Sequence, residues 1–168
     1  MIVYALLCFI GIAFLLLKFD SMDKRIEKPP PPIIPDKKEI YTSQCLSAYN
    51  HIRKTYLNND DTFNVINDNI LTVLTEHAEN VRNEIEGTNA KPSDIIWYII
   101  LRTIMNELPY AEYYIYGGML NKQGMKMYNL FITAAKELKK SSYYTKEQYK
   151  ESMGWLIDTV NKSKHKKN

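Results

Sequence analysis

The side chains that most often bind metals are few in this sequence, and their spacing suits no metal site. The three histidines are His51, His77 and His165, and none has a histidine or cysteine three or four residues away. Helical zinc sites need such a spacing, and the zinc-protease helix needs a second histidine after the pair Glu76-His77. We therefore expect no metal site and no bound cofactor.

Nucleophilic catalysis is equally poorly supported by the residue pattern. Cys45 and His51 are six residues apart on one predicted helix, so their side chains point in different directions. No Gly-x-Ser-x-Gly elbow and no phosphate-binding glycine loop occurs in the sequence. An enzyme or small-ligand binder with an unrecognised site is our second hypothesis. It requires polar side chains such as His51, His77 and Glu112 to converge in one pocket.

Tyrosines are concentrated in one short segment between Pro109 and Gly117-Gly118. The four are Tyr110, Tyr113, Tyr114 and Tyr116. Tyrosine combines a large, rigid contact area with a polar hydroxyl and is enriched at binding interfaces. The alternative is that half of these rings cover the core and the others carry no function. If the protein has a recognition surface for a partner or a ligand, we expect it at these four tyrosines, with Trp97 behind it.

The C-terminal region is rich in lysine, with nine lysines from Lys136 onward against four acidic residues. Its basic tail contains Lys164, Lys166 and Lys167. Such a region would attract an anionic lipid surface by ~1 kcal/mol per residue. Nucleic acid is disfavoured as a partner, because lysine outnumbers arginine by 18 to 4 and arginine reads base edges best. A lipid- or nucleic-acid-surface binder acting through this region is our third hypothesis.

The elements that must position these residues begin with an apolar N-terminal stretch, residues 1–19. At ~1.5 Å per residue this stretch spans roughly 28 Å as a helix, close to the thickness of a hydrocarbon core. A cleaved signal peptide is disfavoured, because the stretch has neither a basic n-region nor a small-residue cleavage site. We predict an uncleaved single-pass transmembrane anchor, with membrane contacts from Ile2, Leu6, Phe9, Phe14, Leu17 and Lys18.

The orientation of the anchor follows from the distribution of basic residues at its ends. Besides Lys18, the C-terminal side carries Lys24, Arg25 and Lys28, whereas the N-terminal side has only the α-amino group. The positive-inside rule then places the N-terminus outside and the body in the cytoplasm. The two cysteines form no disulfide framework, which is consistent with a reducing compartment.

Residues 20–35 are predicted to form a juxtamembrane helix followed by a proline-rich spacer. The helix ends near Lys28, because Pro29 lacks an N–H and disfavours a helical conformation in the residue before it. The seven residues 29–35 include five prolines and reach roughly 22 Å in a polyproline conformation. We interpret the segment as a semi-rigid spacer; the alternative is a ligand for an aromatic-lined groove.

Residues 36–162 are predicted to form one all-α domain, an irregular bundle of four or five helices, followed by the basic tail 163–168. Apolar residues recur at helical spacing in five segments. Their predicted bounds are 36–57 with an Asp36/Glu39 capping box, 63–85 closed by Gly87, 94–108 with Ser93 as N-cap, 125–138, and a last helix that starts at a Thr145/Gln148 capping box. The third segment is apolar nearly all round, which predicts the central helix of the bundle.

The faces predicted to pack in the first and last helices contain several aromatic residues. The residues of these faces are Tyr41, Cys45, Ala48, Tyr49, Ile52 and Tyr56 in the first helix, and Tyr149, Met153, Leu156, Ile157 and Val160 in the last.

Together the sequence patterns favour a single-pass membrane-anchored helical interaction module. Its expected partners are the lipid bilayer and another protein.

Overall fold

The computed structural model describes residues 37–77, 80, 90–141 and 144–164. These residues belong to one compact unit that starts at Asp36. Several predicted features lie outside the described residues: the anchor 1–19, the juxtamembrane helix and spacer 20–35 with Lys24, Arg25 and Lys28, the Asp36 cap, the closing Gly87, and the tail residues His165, Lys166 and Lys167. Among the helices that are described, none combines the length and the apolar character needed to cross a bilayer.

The described part of the chain is all-helical, as the residue pattern predicted. It contains five α-helices: α1 Lys37–Ile52, α2 Asn64–Glu76, α3 Pro92–Glu107, α4 Lys122–Lys139 and α5 Lys146–Lys164. Short helical turns connect them: a π-helical turn Arg53–Leu57 and two 3₁₀ turns, Asp61–Phe63 and Ala111–Tyr113.

Helix α3 occupies the centre of the bundle and packs against α1, α2 and α4, while α5 packs against α4. Its side chains Ile96, Ile100 and Ile104 are completely buried. An apolar surface that covers most of a helix is removed from water only when neighbours cover several of its sides. The central position of α3 is the one that its composition predicted.

Helix α1 changes after Ile52 into the π-helical turn, and this turn continues the helix to Leu57, where the sequence predicted its end. A π turn holds more residues than an α turn, so it shifts which side chain faces the core. Leu57 is fully buried in this turn, whereas Tyr56 is exposed and meets Trp97 edge-on, with 5.0 Å between ring centroids. The prediction that Tyr56 continues the buried face of α1 is therefore wrong.

Helix α2 differs from its predicted length, because it ends at Glu76 rather than near Ile85. His77 follows in a non-helical conformation (φ −115°, ψ 27°). The hydroxyl of Thr75 donates to the carbonyl of Leu71 at 2.8 Å. The backbone N–H of His77 still donates to the carbonyl of Val73 at 3.1 Å, which closes the last turn of α2.

The start of α3 corrects the predicted N-cap, Ser93. The N-cap is Lys91, and Pro92 occupies the first helical position, where its missing N–H costs nothing. The carboxylate of Asp94 reaches back and accepts a hydrogen bond from the Lys91 backbone N–H at 3.0 Å. The proline is the stronger signal here and moves the helix start by two residues.

Helix α5 begins with the predicted capping box. The Thr145 N–H donates to Gln148 Oε1 at 2.8 Å, and the Gln148 N–H donates to Thr145 Oγ1 at 3.1 Å. The predicted packed face is wrong at Ile157, which is 55 % exposed. Ser152 is buried instead, hydrogen-bonded to the hydroxyl of Tyr144, so a paired polar residue takes a place that hydrophobicity alone does not reveal.

Candidate functional site

The tyrosine-rich segment forms a folded loop between α3 and α4, which we call the tyrosine loop (residues 109–120). Its tip closes through a hydrogen bond from Ile115 N to the Met119 carbonyl at 2.8 Å and a single antiparallel bridge between Tyr114 and Leu120. The reversal uses Gly117 and Gly118, whose φ values are +84° and +72°. Glycine adopts these angles without the steric penalty that other residues incur.

Asn121, the N-cap of α4, holds the base of this loop with three hydrogen bonds. Its side-chain oxygen accepts from Gly124 N at 2.7 Å, and its side-chain nitrogen donates to the Glu112 carbonyl at 2.5 Å. Its backbone N–H donates to the Tyr113 carbonyl at 3.0 Å. The loop is therefore fixed to the rigid start of a long helix.

The structure separates the four tyrosines instead of placing them on one surface. Tyr113 is only 7 % exposed and belongs to the core, whereas Tyr110 and Tyr116 are 59 % and 83 % exposed. Tyr114 is half-buried, and its hydroxyl has no hydrogen-bond partner among the described residues. Trp97 is buried, and its ring contact is with Tyr56.

Two of these tyrosines, Tyr114 and Tyr116, line a cleft between the tyrosine loop and the last turns of α5. We call it the loop–α5 cleft. Its volume is about 550 Å³, within the range of pockets that hold small molecules or peptide side chains. The lining residues are Pro109, Ala111, Tyr114, Ile115, Tyr116, Gly117, Gly118, Thr159, Lys162 and Ser163.

The polar wall of this cleft comes from α5. Ser163 Oγ lies 2.7 Å from the carbonyl of Val160 and 3.3 Å from that of Gly118, so it ties the end of α5 to the glycine turn. Burial raises the pKa of Tyr114, and the nearby Ser163 hydroxyl opposes part of that shift. A hydroxyl whose pKa is raised stays protonated, so Tyr114 contributes an uncharged aromatic side chain to the cleft.

A second, shallower cleft of about 400 Å³ adjoins the first. It is lined by Glu107, Tyr110, Ala111 and Glu112, and it shares Ala111 with the loop–α5 cleft. The pKa of Tyr113 is raised mainly by burial and further by the charges of Glu112 and Glu107. The surface thus carries a cation, Lys162, on the α5 side and two carboxylates on the far side of Ala111.

The residues predicted for an enzyme or ligand site do not meet at this cleft. His51, His77 and Glu112 are all exposed, and neither histidine lines the loop–α5 cleft. No group of three histidine, cysteine or acidic side chains that could hold a metal ion occurs within the described ranges. The groups that line the cleft are aromatic and apolar side chains, two hydroxyl groups and one ammonium group from α5.

Sequence reasoning missed the contribution of α5 to the site. Thr159, Lys162 and Ser163 follow one another at helical spacing and therefore share one face, but nothing local relates that face to residues 109–118. Lys164, predicted as part of a basic tail, is the last residue of α5. Comparisons with family models, with curated proteins and with solved structures found no match for this chain.

Proposed function

We propose that this protein is a single-pass membrane-anchored helical interaction module and that it binds a protein partner at the loop–α5 cleft. The observation that carries the proposal is the exposure of apolar side chains around this cleft. Ile115 is 49 % exposed, Met119 61 % and Tyr116 83 %. Aromatic residues and methionine are enriched in protein interfaces, and soluble proteins rarely expose such groups together without a function.

The rigidity of the loop also supports a binding role. A flexible loop loses conformational entropy when it binds, whereas a loop held in its bound shape does not. The three hydrogen bonds of Asn121 and the contact of Ser163 with Gly118 hold the tyrosine loop against α4 and α5. Its exposed side chains are therefore presented in a defined arrangement.

The partner surface is tested by affinity purification of the tagged full-length chain from detergent-solubilised native membranes. Truncation of a central aromatic contact costs 2 kcal/mol or more at many interfaces. We therefore expect Tyr116→Ala to lower the recovered partner at least ~tenfold. The matched control is Ile157→Ala, since Ile157 is 55 % exposed on α5 but does not line the cleft. Equal recovery with both variants would remove the support for this surface.

The anchor is tested separately by fractionation and protease protection. We expect the full-length chain to sediment with membranes after carbonate extraction and a chain lacking residues 1–19 to remain in the supernatant. If the body is cytoplasmic, protease added to intact cells leaves it uncut, while the same protease degrades it after permeabilisation. A processed N-terminus on the mature protein would contradict the anchor.

A further inference from the structure

The loop–α5 cleft has the chemistry of a groove for an extended proline-rich peptide, and the chain itself contains such a peptide. We propose that the cleft binds residues 28–36 of a second copy of this chain, so that anchored copies associate through it. This inference rests on the proposed function, since it identifies the partner at the same cleft.

The lining of the cleft favours a polyproline ligand. Grooves that recognise proline-rich segments are formed by aromatic rings, against which the rigid, pre-formed polyproline helix packs at low entropic cost. Here Tyr114 and Tyr116 provide the rings and Pro109 adds an apolar wall. A Cβ added at Gly117 would meet no atom within 4 Å, so the glycine turn leaves that side of the cleft open to a ligand.

The cleft also contains hydrogen-bond donors that a polyproline ligand can use. A polyproline helix makes no internal hydrogen bonds, so its carbonyl oxygens remain available as acceptors. Thr159 and Lys162 line the α5 side of the cleft and carry a hydroxyl and an ammonium group that can donate. The cleft therefore offers aromatic surfaces for the proline rings of such a segment and hydrogen-bond donors for its carbonyl groups.

The two charged residues that directly border the uncharged residues 29–35 complement charges of the surface. Residues 29–35 are uncharged and lie between Lys28 and Asp36, whose α-carbons are roughly 25 Å apart in a polyproline conformation. The surface has carboxylates at Glu107 and Glu112 beyond Ala111 and an ammonium group at Lys162 on α5. In the proposed complex, Lys28 pairs with the carboxylates of the acidic cleft and Asp36 pairs with Lys162, and these two pairs give the bound segment its direction.

When two copies are anchored in the same bilayer, even a weak contact of this kind is sufficient for them to associate. Confinement to the same membrane raises the effective concentration of one copy near another, as a tether does. Within one copy, the segment is joined directly to the start of α1, and this connection limits where it can bind. The segment of a second copy has no such limit. Association through exposed, short peptides is typically weak in isolation and becomes significant under such confinement.

The experiment uses the full-length chain in nanodiscs with the photocrosslinker p-benzoylphenylalanine in place of Tyr116. Copies labelled with ¹⁴N and ¹⁵N are mixed before irradiation. We expect crosslinked dimers whose adduct maps to residues 28–36 and contains both isotopes. The matched control carries the crosslinker in place of Ile157 and should yield at least fivefold less of this adduct.

Charge reversal provides the second readout. We expect Glu112→Lys to reduce the dimer at least fivefold and the double variant Lys28→Glu/Glu112→Lys to restore it, with unchanged circular dichroism in both. Adducts confined to one isotope, or no rescue by the double variant, would overturn the inference. When the irradiation is repeated in native membranes, an adduct to a different protein would overturn this inference while sparing the proposed function. Absence of any protein adduct in either setting would overturn both.

Discussion

Gly124, in the first turn of α4, lies directly against the backbone of Tyr113. A Cβ built on Gly124 would stand 2.6 Å from the carbonyl oxygen of Tyr113 and 2.9 Å from a methyl group of Leu120. That carbonyl accepts the hydrogen bond from Asn121 N at 3.0 Å, so it cannot move away without losing this bond. The close approach of these two residues sets the distance between the tyrosine loop and α4.

Gly124→Ala is expected to destabilise the fold because the new methyl group would overlap backbone atoms rather than a flexible side chain. Overpacking of this kind costs about 1–3 kcal/mol in the free energy of unfolding. The matched control is Gly154→Ala in α5, where an added Cβ meets nothing within 4 Å. Alanine should there stabilise the helix by up to ~1 kcal/mol. Urea unfolding followed by circular dichroism distinguishes the two, and changes of the same sign in both variants would contradict the packing argument.

Asn121→Ala is expected to lower the free energy of unfolding by about 1–2 kcal/mol, since it removes the N-cap of α4 and the bond to Glu112. Asn121→Asp keeps an acceptor for Gly124 N but cannot donate to the Glu112 carbonyl, so it should recover only part of the loss. Asn129→Ala, at an exposed site within α4, is the control and should be neutral or slightly stabilising. Chemical denaturation measures all three, and an Asn121→Ala variant as stable as the wild type would contradict the role of this cap.

Acid should weaken the contact between the α1–α2 connection and α4. Lys126 forms an ion pair with Asp60, which also accepts a hydrogen bond from Thr62 N at 3.0 Å. The hydrogen bond to Lys126, followed by those to Thr62, lowers the pKa of Asp60 from 3.8 to about 2. Because the pKa in the folded state is the lower one, the stabilisation is complete above about pH 4 and is lost as the pH falls toward 2.

The test compares the wild type with Asp60→Asn across this pH range. Asparagine still caps Thr62 N, so the substitution isolates the ion pair. We expect the variant to be less stable at pH 6 and the difference to disappear near pH 2. Asp61→Asn is the control at the neighbouring carboxylate and should show a smaller change over the same interval. A difference between wild type and Asp60→Asn that does not vary with pH would contradict the assignment.

Cys45 should be unreactive toward alkylating reagents while the domain is folded. It is completely buried, and burial raises the pKa of its thiol to about 11, although the hydroxyl of Tyr41 partly opposes the shift. Only the thiolate reacts, so at pH 8 we expect labelling at least ~100-fold slower than in denaturant. Raising the pH from 8 to 10 should speed the reaction about tenfold per pH unit.

The measurement uses a Cys8→Ser background so that Cys45 is the remaining thiol. The control adds Ser47→Cys to Cys8→Ser/Cys45→Ser, which places a thiol at an exposed position two residues away on α1. This thiol should react at the rate of a free cysteine. Rapid labelling of Cys45 under native conditions would show that α1 opens locally, because neither access nor ionisation would then limit the reaction.

The sequence by itself determined the features that depend on residues a few positions apart. The all-helical class, the central place of α3 and the Thr145/Gln148 capping box follow from apolar periodicity and from local hydrogen bonds. Local signals also have limits: the π-helical turn replaced Tyr56 by Leu57 in the core, and a buried hydrogen bond placed Ser152 inside and Ile157 outside.

Only the tertiary structure decided which tyrosines of the loop are buried in the core and which residues the exposed tyrosines lie next to. The tyrosine loop and the α5 residues Thr159, Lys162 and Ser163 are at least 39 positions apart in the chain, so their meeting depends on how α5 packs against α4. Packing of helices is set by the summed contacts of many side chains, and no short pattern specifies it. The composition around Pro109 and Gly117 therefore predicted a binding segment, while the cleft itself exists because α5 supplies its second wall.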